Sequence, residues 1–429
     1  MILALLSLTA PAHAFCGTYV GQAGAELYNA ASQVAIVRQG TRTTLTLANA
    51  YQGDATAFAL LVPVPQILGP EDVTTVDSAI FARLDAYSAP RLVSYTCEDF
   101  AIDYDVDSAS DDGGGSRGED ADGSVTVEAE FQAGEYDIVI LSAEESDGLL
   151  TWLDDNAYGV DETAAALLGE YIDAGAYFFA AKVALDRIPE GSSYLSPLRF
   201  SYDAEVFGLP IRLGTLNSPG YQDLILYAVN DYASGAVGVG NYPEATLEDE
   251  CMWKPDVWPT FAEFYAAQFG TAMASSEGAS WVREYAWGGG GCDPCSGTPP
   301  GDSDLQEVGF SGTATDAFLT RLHMRYGPGD ADQDLALYLS NDPSFGQIRY
   351  IQYDERLEEH FPVCGEGWVE DGGTCDGAGG ETPETPGGVE EGGGDDKAAA
   401  TGCGCATPGS PAVGLGLAAA VLLARRRRG

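Results

Sequence analysis

Residues 401–429, TGCGCATPGSPAVGLGLAAAVLLARRRRG, decide how much of this chain is free to fold as a water-borne body. They join a Cys-Gly-Cys pair, Cys403 and Cys405, to an apolar run over residues 411–424 and to four closing arginines. As a helix the run is roughly 21 Å long at about 1.5 Å per residue. A comfortable membrane span needs ~20 residues, so a removable sorting segment fits better than a permanent anchor. A plain tail anchor with two idle cysteines is the alternative. Basic flanks stay cytoplasmic, which places everything upstream outside the cytoplasmic membrane. The N-terminus agrees with that address. MILALLSLTAPAHAFCG has an apolar run over residues 2–8 and a small-x-small site at Ala12-His13-Ala14. It reads as a secretory signal cut after Ala14, although no Lys or Arg follows Met1. Cys16 is not a lipobox cysteine, because Phe15 stands where a small residue is needed.

The chain therefore divides into a signal peptide (residues 1–14), an extracytoplasmic body (15–369), a linker (370–402) and a C-terminal sorting signal with a short transmembrane helix (403–429). The linker is rich in Gly, Pro, Glu and Thr. Such a segment is flexible and self-repelling and serves as a stalk. The expected partners are the general secretion machinery and the outer membrane or cell surface, with no ligand specified.

Charge narrows the function classes. The chain carries 66 acidic and 20 basic residues, a net charge of −46. Phosphate backbones need the opposite sign, so nucleic acid is excluded as a partner. A solvated, salt-tolerant surface suits the balance. Hydrophobic residues make up 45% of the chain, enough for a real core.

Within the body, residues 32–48 read as a hairpin turning at Gln39-Gly40, because Val34 and Ile36, then Leu45 and Leu47, alternate with polar neighbours. Residues 58–64 form an evenly apolar and more buried strand that Pro63 and Pro65 are expected to end. Residues 76–87 have helical spacing at Val76, Ile80, Leu84 and Tyr87. Strands follow at 91–97, 124–131, 136–142, 176–185, 198–202, 211–213, 222–229, 280–287, 317–326, 334–339 and 347–353. Helices are expected at 145–155, 162–173 and 258–273. The last carries an aromatic stripe of Phe261, Phe264, Tyr265 and Phe269, which reads as core packing. Residues 103–123 form an acidic insertion with almost nothing apolar, unable to order itself. Helices inserted between runs of strands define an α+β class: a mixed, largely antiparallel sheet with several inserted helices, stapled by disulfides.

Candidate chemistry is sparse. Export favours disulfides, and Cys16, Cys97, Cys251, Cys292, Cys295, Cys364 and Cys375 are the candidates, an odd number whose pairing spacing cannot decide. Cys292-Asp-Pro-Cys295 admits three uses: a redox couple, half a zinc site or a structural disulfide. A redox pair wants its first cysteine at a helix N-terminus, whereas glycines 288–291 precede it and Ser-Gly-Thr-Pro-Pro follows. A second cysteine pair at knuckle spacing is lacking. The structural use is favoured. Asp103, Asp105 and Asp107 mimic the start of a calcium loop but fail at its sixth and twelfth positions, and Asp330, Asp332 and Asp334 fail in the same way. No metal site is expected. Apart from the signal, the histidines are His323 and His360. On the strand AFLTRLHMRYG, Arg321, His323 and Arg325 share one face, and pairing with acidic neighbours across the sheet is the expected use. The bare patterns G-x-S-x-G (residues 114–118) and G-x-G-x-x-G (113–118) fall inside the acidic insertion and not at a strand-to-helix turn, so they make neither a nucleophile elbow nor a dinucleotide fingerprint. No Walker A or H-E-x-x-H is present, so no cofactor is expected and no catalytic residue is nominated.

Two resemblances follow. The cysteine, short apolar helix and terminal arginines resemble a MYXO-CTERM sorting signal. This implies cleavage by a sortase-like intramembrane protease and lipid attachment at Cys403 or Cys405. Phe15-Cys16-Gly17, the block NAASQVAIVRQGTRTTLTLANAYQGDATAFALLVPVP, the segment APRLVSY, the Cys292–Cys295 loop and AFLTRLHMRYG together resemble the DUF2330 family. That family is uncharacterised; the resemblance implies an exported bacterial protein and supplies no catalytic residue. The expected function is a cell-surface binding or structural protein rather than an enzyme. The alternative is an extracytoplasmic thiol-redox enzyme or hydrolase centred on Cys292 and Cys295.

Overall fold

The structure is a computed structural model that describes residues 18–21, 28–29, 32–48, 51–52, 58–95, 125–143, 146–155, 162–187, 195–217, 220–247, 253–254, 260–276, 278–291, 298–327, 329–352 and 405–406. Two sheets dominate it. The larger has eight strands. In chain order those used below are β1 (Ser32–Gln39), β2 (Arg42–Leu47), β3 (Leu198–Asp203), β4 (Gln222–Asp231), β5 (Ser280–Gly288) and β6 (Ala317–Tyr326). Their order is β5-β6-β4-β1-β2-β3, with Gly346–Gln347 outside β5 and Val73–Thr75 outside β3. Every pairing in this sheet is antiparallel except β4 with β1. The smaller sheet has five antiparallel strands, in the order Thr18–Gly21, Phe58–Val64, Tyr177–Val183, Tyr136–Ala143 and Val125–Ala133.

Side-chain alternation builds the layers. Successive residues of a strand point to opposite faces. In Phe58–Val64, Leu60, Val62 and Val64 enter a core shared with Val34, Ile36, Leu45 and Leu47 of the large sheet. Their neighbours Ala59 and Leu61 pack outward, against Leu149 and Leu153 of helix α2 (Ser146–Asp155) and Leu168 and Ile172 of helix α3 (Glu162–Asp173). Phe179 of the small sheet stacks on Phe200 of the large one, with ring centroids 4.9 Å apart. The large sheet's outer face carries Ala35, Val37, Tyr227, Val229 and Leu319 against Ile80, Phe81, Leu84 and Tyr87 of helix α1 (Ala79–Ser88). Further along that face, helix α4 (Phe261–Ala274) packs its Phe269 and Met273 on Val282 of β5. The body is thus helices, sheet, sheet, helices, a mixed α+β fold with a large, mostly antiparallel sheet. A fifth helix, α5 (Asp302–Glu307), joins the outer layer through Leu305.

The strand Phe58–Val64 keeps its expected bounds, with Pro63 inside it and Pro65 just beyond. Its neighbour Thr18–Gly21 pairs only as far as Leu61, so the missing N–H of Pro63 costs no ladder bond on that side. Several expectations need correction. Helix α1 begins at Ala79, because the Asp77 carboxylate accepts the Ala79 N–H and leaves Val76 outside. Residues 211–213 are not a strand; they enter the 3₁₀ turn Arg212–Asn217. The single strand expected over 347–353 is two. Gly346–Gln347 edges the large sheet, and Arg349–Gln352 leaves to lie parallel to Arg91–Tyr95. Between them the Ile348 N–H donates to the Glu284 carbonyl. In the glycine run after β5, a Cβ on Gly289 would stand 2.6 Å from the Ala314 carbonyl oxygen. That close approach explains the run.

Candidate functional site

The outer face of the large sheet holds a buried charge network under α1 and α4. Its geometry starts from strand register. In β6, Leu322, Met324 and Tyr326 face the core between the sheets. Arg321, His323 and Arg325 therefore face the helices. On β4 the residues opposite them are Tyr227, Ile225 and Asp223. On β5 the register shifts between Arg283 and Tyr285, so Glu284 is the extra residue of a β-bulge. A bulge re-aims a side chain, and here it turns Glu284 inward among the three basic residues.

Glu284 is fully buried, and its two oxygens take three donors. Arg321 Nε donates to Oε2 at 2.5 Å. His323 Nδ1 lies 2.8 Å from Oε1, and the Tyr265 hydroxyl of α4 also donates to Oε1. Arg321 reaches further, donating from Nη1 to Asp85 Oδ1 of α1 at 2.7 Å, while Tyr227 donates to the same oxygen at 3.1 Å. Arg325 clasps Asp223 with two bonds, at 2.6 and 2.7 Å. His323 Nε2 stands 3.6 Å from Asp223 Oδ1, too far for a hydrogen bond, so their attraction is one of charge. The imidazole lies flat on the Phe269 ring, 3.7 Å between centroids and 9° between planes. The Arg325 guanidinium sits over the same ring at 4.9 Å.

Titration follows from these contacts. Burial alone would push the Glu284 carboxyl up; the Arg321 and His323 charges outweigh it and hold it at about 2. Burial likewise opposes ionisation of Asp223, and His323 and Arg325 hold it at about 2. For His323, burial pushes the pKa down, but Glu284 and Asp223 raise it above the usual histidine value. Burial pushes the hydroxyls of Tyr227 and Tyr265 up, so both remain donors. With His323 protonated, three cations (Arg321, His323, Arg325) balance three carboxylates (Asp85, Asp223, Glu284).

A second buried carboxylate lies elsewhere. Asp334 accepts the Tyr171 hydroxyl of α3 on both oxygens at 2.8 Å, and the N–H groups of Ile211 and Arg212 at 3.0 and 3.2 Å. It thereby ties α3 to the turn that follows. Asp330 accepts the Gly327 N–H at 2.8 Å. Donors thus occupy both acids, and among the described residues no cluster of three or more His, Cys, Asp or Glu could hold a metal ion.

Sequence reasoning placed Arg321, His323 and Arg325 on one face, and the structure joins them there to acidic partners. It missed the partners themselves. The signal for Glu284 was a charged pair, Arg283-Glu284, inside the otherwise aromatic strand SWVREYAWG. The cysteines lie outside the described residues, as do Ala14, His360 and the acidic insertion. Cys405 is described only in its backbone, which pairs with Tyr95. The expected span at 411–424 lies outside them too. Among the described residues no helix is long and apolar enough to cross a membrane.

Fold and site together define a two-sheet α+β body with helices on both outer faces and a closed ion network under one of them. The chain belongs to the DUF2330 family, described as an uncharacterized protein conserved in bacteria, whose model matches residues 10–338. No curated protein and no solved structure matches it.

Proposed function

We propose that residues 15–369 form a non-enzymatic binding or structural body, exported and held at the cell surface on the linker of residues 370–402. The observation that carries this reading is the network around Glu284. General acid–base work needs a group poised near the operating pH and within reach of a substrate. Here the carboxylates of Glu284 and Asp223 titrate near 2 and are bound by the cations beside them. His323 lies under Phe269. A network turned wholly on itself suits a scaffold. The address rests on the two end segments: the leader before Phe15, and the cysteine, apolar run and arginines of residues 403–429.

Thiol titration of the folded, mature protein tests the body's role. The scaffold reading expects no reactive thiol at Cys292 or Cys295 and resistance to mild reductant. A free, low-pKa thiol at Cys292 would replace it with thiol-redox chemistry. Mass spectrometry of the mature protein tests the address. It predicts a chain starting at Phe15 and lacking the four arginines; an intact RRRR terminus rules out the sorting signal.

A further inference from the structure

We propose that His323 is a pH-sensitive clasp for helix α4: protonated it holds the helix on the large sheet, and losing its proton loosens that helix ahead of the rest of the body. The argument is one of placement and does not depend on where the protein resides. Helix α4 makes polar contacts with the sheet at both ends of its inner face: Tyr265 donates to Glu284, and Ser280 at the start of β5 donates to Met273 Sδ at 3.2 Å. Its closest ring contact is Phe269 against the imidazole. The Tyr265 and Phe269 contacts converge on the His323–Glu284 pair.

The groups around the imidazole come from five elements. β5 contributes Glu284 on the Nδ1 side, and β4 contributes Asp223 on the Nε2 side. β6 itself contributes Arg321 and Arg325, each paired to one of those carboxylates. From α4 come Tyr265 and Phe269, and α1 reaches the cluster through Asp85 on Arg321. With the imidazole neutral, the Glu284 and Asp223 carboxylates beside it keep one guanidinium each and lose the positive charge between them, while Asp85, whose side chain is 44% exposed, draws on Arg321 as well. One nitrogen can still donate to Glu284, but then the lone pair on Nε2 points toward the Asp223 carboxylate. Uncompensated buried charge is costly, and α4 is the helix whose Tyr265 and Phe269 lie directly on the Glu284 and His323 side chains, so the cost falls on its docking. Beneath α4 lie Val282 of β5 and, beyond the sheet's edge, Ile348 and Tyr350, so loosening it uncovers apolar surface.

The sign follows from linkage. The folded pKa of His323 is raised. Its contribution is therefore fully present below the open-state value of about 6.5 and is lost as pH rises through the folded value. Each unit between the two values changes the opening equilibrium tenfold.

Hydrogen exchange on the intact mature protein between pH 6 and pH 9, corrected for the intrinsic exchange rate, tests this. Helix α2, on the opposite face, is the internal reference. Protection over Phe261–Ala274 is expected to fall relative to Ser146–Asp155 as pH rises, with the profile of one proton. His323→Gln is expected to flatten the profile. Phe269→Leu, which leaves the imidazole's polar partners in place, is expected to lower α4 protection at pH 6; it serves as the second variant if the first does not fold. Parallel pH profiles for the two helices overturn the proposal. So does a His323→Gln profile like the wild type, or unchanged α4 protection in Phe269→Leu.

Discussion

Replacing Glu284 with glutamine keeps the shape of the side chain and removes its charge. Two routes give the size of the effect. The carboxyl is held at about 2 against an ordinary value of 4.5. At 1.36 kcal/mol per pKa unit this corresponds to about 3 kcal/mol. Removing one partner of a buried ion pair costs about 3–5 kcal/mol, because the other charge is left uncompensated. Glutamine keeps one accepting oxygen where the carboxylate has two, and Arg321 Nε and His323 Nδ1 sit on different oxygens. Its amide N–H groups therefore face one of these donors and repel it. Urea unfolding of the mature body at pH 7 is expected to show a loss of about 3–5 kcal/mol for Glu284→Gln with an unchanged m value. The double variant Glu284→Gln/Arg321→Met removes both charges and is expected to lose less than the sum of the single variants. A single-variant loss under ~1 kcal/mol, or strict additivity, refutes the reasoning. The pH dependence has a definite sign. The folded pKa is depressed, so this stability is present above about 4.5 and disappears as pH falls through about 2.

Other predictions use the same body. Gly289→Ala forces a Cβ against the Ala314 carbonyl oxygen and is expected to destabilise by about 1–3 kcal/mol. Gly270→Ala, inside α4 with nothing within 4 Å of the new Cβ, is expected to stabilise by about 0.5–1 kcal/mol; equal shifts in the two melting curves would contradict both. Tyr171→Phe removes the hydroxyl bound to Asp334 and is expected to cost about 0.5–1.5 kcal/mol, since the half-buried carboxylate loses one donor and keeps the N–H groups of Ile211 and Arg212. Urea unfolding checks it, with a null effect as the refuting result.

The local elements were legible where local chemistry decides them. The hairpin of β1 and β2 was readable because apolar alternation brackets a glycine, and Gly40 takes the positive φ of 60° that the turn requires. β6 was readable over its full length, Ala317–Tyr326, and so was its basic face. Long-range partners were not. Asp85 meets Arg321 across 236 positions of chain, and β4 lies parallel to β1 across a comparable gap. Periodicity reports which face of a strand is buried; it does not report which strand comes next to it. The bulge that turns Glu284 inward is a register event between two strands, invisible within either one. The break at Ile348 escaped for a similar reason: residues 346–352, GQIRYIQ, carry no proline or turn signal, and the change of sheet is set by the Glu284 carbonyl that receives Ile348 N–H. The aromatic stripe of α4 was read as core. It is core, but Tyr265 and Phe269 also touch the network.

The central claim is a closed, charge-balanced network in which His323 supplies the third cation. Nitrogen-15 NMR of the histidine rings in the mature body at pH 7, assigned by comparison with His323→Gln, tests it most directly. A midpoint above the ordinary value of about 6.5 is expected, with both ring nitrogens of His323 carrying protons below it. A neutral ring at pH 7, with a midpoint below that value, would contradict it.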